Sequence, residues 1–312
     1  MKAKFYFATL SFFALLIQAC SSTEDMPTKE LNIENSILEF NINNQSLLIK
    51  AAIDEQTGEI TKRLPEFINL KDLNIDLKFS ENATISPDPR IIKDYSLPVK
   101  FTVRSESGLV KNYQVKFEHM DIDRVRSCSE ANAWKWFGGD DRTNAPDILP
   151  YDRNVGTGQT IMLEKDLVPS VFNVELGQGF NEGFGYYSTR TPYNKPVTLK
   201  LIIRDENSNV IKTTTAIVSA DFSGGLIPFD LSKLALLLEA NKKYYFFWYL
   251  VDGDSLGIYI ASPGNTDKSG TGFCFNSGWS GESNISKNNS LDQLDTWYTH
   301  PWHFNIKLEG KE

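Results

Sequence analysis

The chain has 312 residues, with 32 basic and 40 acidic side chains and a formal net charge of −8. This length fits one large domain or two ordinary ones. An acidic chain lacks the basic surface patch that would attract nucleic acid or anionic lipid headgroups. We therefore expect neither of them as a direct partner.

The first residues predict export from the cytoplasm. Lys2 and Lys4 precede an uncharged run from Phe5 to Ala19 that is dominated by Phe, Leu and Ala. A basic start followed by a short apolar stretch is typical of a secretory signal. As a helix the run would reach only about 22 Å, short of the ~30 Å hydrocarbon core, so a membrane-spanning helix is the less favoured interpretation.

The end of this run resembles the lipobox of bacterial lipoproteins. Ile17 and Ala19 supply the branched apolar and the small residue that precede Cys20. The resemblance implies that residues 1–19 are removed and that the Cys20 thiol carries diacylglycerol, which makes the lipid the membrane anchor. A plain secreted protein that is cleaved nearby is the alternative.

The residues after Cys20 are polar and suit a flexible tether over residues 20–35. Glu24 and Asp25, which follow the cysteine closely, resemble the surface-export signal of Bacteroidota-type lipoproteins. We therefore expect the protein at the outer membrane and exposed on the cell surface. An ordinary linker in a periplasm-facing lipoprotein is the alternative.

Residues 36–120 are predicted to form short strands joined by turns. Val99–Val103 and Tyr113–Phe117 alternate apolar and polar residues around a turn at Ser107–Gly108, which predicts a hairpin with one buried face. The segment resembles the Ig-like β-sandwich that follows the lipid anchor in many Bacteroidota-type surface lipoproteins, where it serves mainly as a spacer. The likeness is carried by Ile37, Phe40, Ala52–Asp54, Glu59–Ile60, Leu64–Pro65, Asp72–Leu73, Ala83–Pro87, Leu97–Val99, Phe101–Val103, Ser107–Gly108 and Tyr113–Val115.

Residues 121–312 are predicted to form a second, larger domain. Tyr244–Val251 is apolar on both faces, which predicts a central strand with Trp248 in the core. Asp230–Leu238 is predicted to be a short helix capped by Asp230. Trp302, Phe304, Ile306 and Leu308 alternate along a final strand and are predicted to be core. The order of these segments resembles jelly-roll modules of secreted bacterial proteins, many of which bind carbohydrate. The predicted fold class is therefore all-β, with an Ig-like sandwich followed by a jelly roll.

Two cysteines remain once Cys20 is assigned to the lipid. In an oxidising compartment Cys128 and Cys274 are able to pair. The bridge would close a loop of about 150 residues, worth up to about 5 kcal/mol in the loop-entropy model. Two buried free thiols are the alternative.

Catalytic motifs are weak in this chain. Gly278–Glu282 approaches the G-x-S-x-G elbow of serine hydrolases but has Glu282 in place of the last glycine. Gly177–Gly183 is one residue too long for a dinucleotide fingerprint, and we predict a loop there. A hydrolase that uses a pair of carboxylates leaves no local signature in a β-sandwich and stays the least favoured interpretation.

No metal site or cofactor is predicted, apart from structural calcium. His300 and His303 are separated by Pro301, which argues against a helical zinc site, and His119 is far from both in sequence. Calcium requires six to eight oxygen ligands. The candidate carboxylate ligands for calcium are Asp252 with Asp254, or Asp140 with Asp141.

Aromatic residues in or beside loops are the candidate ligand site. Sugar rings stack their apolar faces on exposed Trp and Tyr side chains. The candidates, which flank loops rich in glycine and asparagine, are Trp279, Trp297, Tyr298, Trp134 and Trp136. Packing under a loop is the competing interpretation for each. We expect a non-enzymatic surface protein that binds a polysaccharide, and the alternative is a structural or adhesive protein that binds another surface protein.

Overall fold

A computed structural model describes residues 30–44, 47–128, 133–137, 154–181, 191–192, 196–252, 255–261, 275, 280–284, 297–300 and 303–312. Within these ranges the chain forms strands and no α-helix, so the all-β class is confirmed. In this part of the chain no helix is long and apolar enough to cross a membrane. The signal segment, Cys20 and the start of the tether lie outside the described residues.

Two groups of strands follow one another along the chain. The first group comprises β1 (Ile37–Asn44), β2 (Leu47–Lys50), β3 (Ala52–Asp54), β4 (Glu59–Leu64), β5 (Asn74–Phe79), β6 (Thr84–Ser86), β7 (Val99–Arg104) and β8 (Val110–His119). The second comprises β9 (Asp123–Cys128), β10 (Ala133–Phe137), β11 (Asn154–Met162), β12 (Val168–Asn181), β13 (Thr191–Pro192), β14 (Val197–Arg204), β15 (Val210–Val218), β16 (Gly225–Asp230), β17 (Lys243–Asp252), β18 (Ser255–Ala261), β19 (Ser280–Asn284), β20 (Trp297–His300), β21 (His303–Phe304) and β22 (Ile306–Lys311).

Strands β1–β8 form the first sandwich. A three-stranded sheet in the order β2-β1-β5 packs against a five-stranded sheet in the order β3-β4-β8-β7-β6. The hairpin predicted from the sequence is confirmed, with Phe101 of β7 opposite Tyr113 of β8. Gly108 in its turn has a φ of 94°, a conformation that glycine adopts without steric cost. Phe40 of β1 lies 6.2 Å from Phe101 between ring centroids, so the two sheets share one aromatic core.

Strands β9–β22 form the second sandwich. One sheet follows the order β10-β18-β12-β22-β9, with β13 and β16 paired to β12 and β21 paired to β18. The other has six strands in the order β15-β14-β17-β11-β19-β20. β17 lies between β14 and β11, so its prediction as a central strand is confirmed.

An aromatic cluster joins the two sheets of the second sandwich. Phe172 of β12 lies 4.9 Å from Phe246 and 5.6 Å from Trp248 of β17, measured between ring centroids. Phe304 meets Trp248 edge-on at 5.2 Å. The predicted core positions Trp248, Phe304 and Ile306 are all buried, as is Leu308, while Trp302 lies outside the described residues. Because these rings come from both sheets, they fix the distance and alignment of the two layers.

The helix predicted from Asp230 to Leu238 is wrong. Asp230 instead stabilises a turn, because its carboxylate accepts hydrogen bonds from the amide and hydroxyl of Ser232 at 2.9 and 2.6 Å. Only a turn follows, and Ala235 has a φ of 47°, which no right-handed helix allows. The three leucines after it are buried in two different cores, and that packing overrides the local helix signal.

The loop predicted over Gly177–Gly183 is also wrong where the structure describes it. Gly177 to Asn181 continue β12, and Gly179 pairs with Leu256 of β18. The register shifts between Leu176 and Gly179, so the glycines occupy an irregularity in a long strand.

Apolar contacts join the first sandwich to the second. Leu236 and Leu237 are adjacent in sequence, yet Leu236 is buried in the core of the second sandwich and Leu237 in the core of the first. Val168 at the start of β12 also packs against the first core. The first sandwich therefore completes its core with side chains from the second.

Polar contacts reinforce this junction. Asp166 accepts a hydrogen bond from Lys62 Nζ of β4 at 2.5 Å and another from the amide of Ala240 at 2.8 Å. Lys311 Nζ of β22 donates a hydrogen bond to Glu66 Oε1, just after β4, at 3.0 Å. The side chains of Lys62 and Asp166 are 24% and 17% exposed, so the pair is partly shielded from water and holds its geometry better than a surface pair.

Candidate functional site

Four of the five predicted ligand-binding residues fall in described strands. Trp134 and Trp136 lie in β10, and Trp297 and Tyr298 lie in β20. Trp279 lies outside the described residues, directly before Ser280, where β19 begins. The predictions for these residues therefore rest on strand position and register.

Both aromatic strands lie on the same side of the second sandwich. β10 ends the order of one sheet and β20 ends the order of the other. β10 comes close to β11 of the other sheet, on the side of that sheet where β19 and β20 lie. At the opposite side of the sandwich, β15 comes close to β16. The topology thus places two strands that are distant in sequence on the same side of the sandwich.

The register of the six-stranded sheet separates Trp297 from Tyr298. Residues directly opposite each other in a ladder share a face of the sheet. Tyr298 lies in the cross-strand row that contains Trp248, and this row faces the core between the sheets. Its members in strand order are Trp248, Thr157, Glu282 and Tyr298.

Trp297 lies in a row on the outer face, which is turned away from the core. The members of this row in strand order are Lys200, Tyr249, Gly156, Ser283 and Trp297. Three strand spacings of ~4.8 Å separate the positions of Tyr249 and Trp297, about 14 Å along the row. The two aromatic positions are therefore separated by a strip of small residues.

The next outer row has the same character. Phe247 on β17 lies opposite Gly158 on β11, which lies opposite Gly281 on β19. A Cβ at Gly158 would overlap the Phe247 ring, so this position requires glycine. The strip was not predicted from the sequence, although the alternating glycines Gly156 and Gly158 are a signal of close approach.

Aromatic and basic groups continue along the outer face. The Lys200 ammonium lies 5.9 Å from the centroid of the Tyr249 ring, within the range of a cation–π contact. Tyr245 and Phe247 stack at 6.0 Å between centroids. Phe247 and Tyr249 are buried, as is Ile202 on β14, so the middle of this face forms a second apolar cluster. Because these rings are buried, they support this face of the sheet but are not themselves accessible to a stacking ligand.

The inner face of the six-stranded sheet contains buried polar atoms. Gln159 is fully buried and its Oε1 accepts a hydrogen bond from the Phe304 amide at 3.0 Å. Thr157 Oγ1 and Trp248 Nε1 are buried without a hydrogen-bond partner among the described residues. Thr157 and Trp248 lie opposite each other in the ladder, so these two polar atoms, unpartnered among the described residues, are close together on the inner face.

Carboxylates with a lowered pKa lie in turns of the structure. Hydrogen bonds from the hydroxyl and amide of Ser232 lower the pKa of Asp230. Burial raises the pKa of Asp205, but hydrogen bonds from the side chain and amide of Asn209 outweigh it and the net direction is down. Both carboxylates stabilise turns, which explains their pKa values without any catalytic role.

The described residues contain no group of three or more His, Cys, Asp or Glu side chains able to hold a metal ion. His300 and His303 lie on strands of different sheets. His119 is half-buried at the end of the first sandwich, and its Nδ1 has no partner among the described residues. Asp252 ends β17, while Asp254, Asp140 and Asp141 lie outside the described ranges. The calcium hypothesis therefore stays a prediction.

Cys128, at the end of β9, is disulfide-bonded. Cys274 lies outside the described residues. The pairing of these two cysteines stays a prediction.

The first sandwich has a recognisable family signature. Residues 37–117 match the family model described as SGBP, N-terminal. SGBP here denotes glycan-binding proteins of the Bacteroidota. The match runs from β1 to most of β8 and covers about a quarter of the chain. It therefore applies to the first sandwich. The second sandwich, which contains the aromatic rows, is not matched by this family model. No curated protein matches the chain.

Several solved structures resemble the chain loosely. A protein from Bacteroides thetaiotaomicron VPI-5482, provisionally described as a glycoside hydrolase, is 12% identical over 73% of this chain and 96% of its own, with a TM-score of 0.30. A secreted protein from Bacteroides fragilis NCTC 9343 is 16% identical over 28% of this chain and 95% of its own, with a TM-score of 0.22. The carbohydrate-binding module CBM51-2 of Clostridium perfringens ZmpB, solved with GlcNAc, is 8% identical over 63% of this chain and 44% of its own, with a TM-score of 0.16. Because these TM-scores are low, the likenesses carry no conclusion about this chain.

Proposed function

We propose that this protein is a non-catalytic glycan-binding lipoprotein of the outer-membrane surface. The observation that carries the proposal is the match of residues 37–117 to the N-terminal family of Bacteroidota glycan-binding proteins. The lipobox-like segment that ends at Cys20 supports a lipid anchor, and the acids after it support export to the cell surface.

The second sandwich is the proposed binding unit. Glycan recognition needs aromatic side chains on a rigid support, with small residues that let the sugar approach the backbone. On the outer face of the six-stranded sheet the proposed stacking residue is Trp297, with Ser283 and Gly156 as the small residues beside it and the buried Tyr249 as rigid support below. We place the glycan across this strip, with Trp134 and Trp136 of the neighbouring edge as secondary contacts.

The first sandwich is the proposed spacer. Its contacts with the second sandwich through Leu237 and the Lys62–Asp166 pair make the two sandwiches one unit. The junction itself is then rigid, and movement relative to the membrane would come from the tether that the sequence predicts over residues 20–35. The binding face would be held off the membrane at a fixed orientation relative to the first sandwich.

The test compares two neighbouring aromatic residues that the register places on opposite faces. The full chain, Trp297→Ala and Tyr298→Ala are screened on a glycan array, and hits are measured by affinity electrophoresis. We expect Trp297→Ala to weaken binding at least tenfold, since removal of a stacking aromatic typically costs about 1.5 kcal/mol or more. Tyr298→Ala serves as the matched control, and it should lower the melting temperature while leaving the affinity of the folded protein unchanged.

The outcomes separate the proposal from its alternatives. Absence of binding to every polysaccharide, with both variants folded, would refute a glycan-binding function and favour the structural or adhesive interpretation. Release of reducing sugars from a bound polysaccharide would refute the non-catalytic assignment. Binding that survives Trp297→Ala but is lost in Trp134→Ala or Trp279→Ala would keep the function and move the site to the β10 edge or the β19 loop.

A further inference from the structure

Among the described residues, strand β15 has no strand paired to its outer edge. It ends the six-stranded order, and β14 is the one described strand with which it forms a ladder. β16 of the opposite sheet comes close to it, but these two described strands share no ladder. Every second residue of such an edge presents its N–H and C=O groups away from the neighbouring strand, ready to pair with another strand.

This edge has little of the protection that natural edge strands usually carry. Its nine residues, Val210–Val218, contain one charge, at Lys212, and no proline. The register shift near Arg204 leaves Ile211 as an extra residue in the ladder. This bulge bends β15 only at its amino-terminal end. Thr213, Thr215 and Ile217 are exposed, the last at 72%. A long β-branched edge of this kind is a template for strand addition.

The sequence of β15 is nearly a palindrome. It reads Val-Ile-Lys-Thr-Thr-Thr-Ala-Ile-Val, and only Lys212 and Ala216 break the symmetry about Thr214. In an antiparallel pair of two identical strands centred on Thr214, like residues lie opposite each other: Val210 with Val218, Ile211 with Ile217, and Thr213 with Thr215. Pairs of β-branched residues and Thr–Thr pairs are favourable cross-strand contacts.

We propose that two copies of this chain associate through antiparallel pairing of their β15 strands about a two-fold axis at Thr214. The single charge supports this occupant, because Lys212 of one copy lies opposite Ala216 of the other. The two lysines are then four residues apart along the pair, about 14 Å, beyond the Debye length of about 8 Å at physiological salt. The same edge serves both copies, as a closed two-fold interface requires.

The pairing fixes how the two copies present themselves. A two-fold axis between antiparallel edge strands is perpendicular to the sheet, so both outer faces point in the same direction. The two six-stranded sheets become one sheet of twelve strands, with a β20 strand at each end. Eleven strand spacings of ~4.8 Å would separate the two β20 strands by about 53 Å. This arrangement follows from the edge alone and does not depend on what the outer face binds.

A cysteine scan tests the two-fold centre. Residues directly opposite in an antiparallel pair have Cα atoms about 4.5–5.5 Å apart, within the range of a disulfide. The full chain with Thr214→Cys, purified in detergent and mildly oxidised, should run as a covalent dimer. The matched control is Ile217→Cys on the same exposed edge, whose two copies would be about 20 Å apart and should stay unlinked. Equal cross-linking of both variants would refute the proposed register.

Charge substitutions test the interface without cross-linking. Thr213 and Thr215 lie opposite each other across the proposed axis, and both are exposed, so the monomer should tolerate their replacement. Thr213→Lys with Thr215→Lys opposes like charges twice and should weaken dimerisation at least tenfold in sedimentation velocity. Thr213→Lys with Thr215→Glu opposes unlike charges and should restore the dimer. A chain that stays monomeric up to about 100 µM, or a dimer indifferent to the double lysine variant, would overturn the proposal.

Discussion

Replacing Leu237 with alanine should destabilise the first sandwich, although Leu237 lies in the chain segment of the second. Leu237 is only 4% exposed, and it packs in the cluster that contains Phe40 and Phe117. Its neighbour Leu236 is equally buried but belongs to the other core. The pair Leu237→Ala and Leu236→Ala therefore makes the same chemical change at adjacent positions in two different cores.

The expected cost follows from the groups removed. Leucine to alanine deletes three carbon groups, and burial of each stabilises by about 0.8 kcal/mol, which gives about 2.4 kcal/mol for transfer alone. The cavity left behind adds to this, and measured costs for this substitution in protein cores are about 2–5 kcal/mol. We expect a loss of about 3 kcal/mol in the free energy of unfolding for each variant.

Hydrogen exchange read by mass spectrometry locates each loss. Leu237→Ala should speed exchange in peptides from 37–117, and Leu236→Ala should speed it in peptides from 197–250. Calorimetry of Leu237→Ala should show the transition of the first sandwich at a lower temperature than that of the second. Unchanged exchange in 37–117 for Leu237→Ala would refute the idea that the second sandwich completes the first core.

Three further changes test other features. Thr157→Val replaces a buried hydroxyl that lacks a partner among the described residues with a methyl group of similar size, and urea unfolding should show a gain of about 1 kcal/mol. Gly158→Ala places a methyl group into the Phe247 ring, and the same measurement should show a loss of about 1–3 kcal/mol. Hydrogen bonds from the Thr57 and Gln56 amides lower the pKa of Asp54, so the stability they give is present above its ordinary value of 3.8 and is lost as the pH falls through the lowered pKa. Asp54→Ala should therefore flatten the acid limb of the stability curve below pH 3.8.

Each of these changes has an outcome that contradicts its reasoning. A loss of stability in Thr157→Val would mean that the hydroxyl has a partner. A neutral Gly158→Ala would mean that the Phe247 ring moves aside without cost. An acid limb identical in Asp54→Ala and the unaltered chain would show that the turn does not contribute to acid unfolding.

Alternation along strands was enough to predict much of the fold. The hairpin of β7 and β8 and the central strand β17 follow directly from period-two patterns and continuous apolar runs. The helix predicted after Asp230 failed because capping residues report only local preference. Burial of Leu236 and Leu237 in separate cores is a long-range effect that no local pattern contains.

The candidate site was predicted only in part. Aromatic composition pointed to Trp297 and Tyr298, but the face that each occupies depends on register with β19 and β11, which are far away in sequence. The prediction that β17 is apolar and buried on both faces is confirmed, since Phe247 and Tyr249 are buried as well as Trp248. Gly156 and Gly158 carried a signal, as alternating glycines in a strand mark close approach.

The placement of Leu237 also constrains the order in which the molecule assembles. A chain synthesised from its amino end presents residues 37–117 more than a hundred positions before Leu237 arrives. Until then the first sandwich has a gap in its core and exposes apolar side chains that Leu237 and Val168 later cover. The amino-terminal sandwich is thus the first to be synthesised and the last to be finished, and it depends on its successor for the closing step of its own folding.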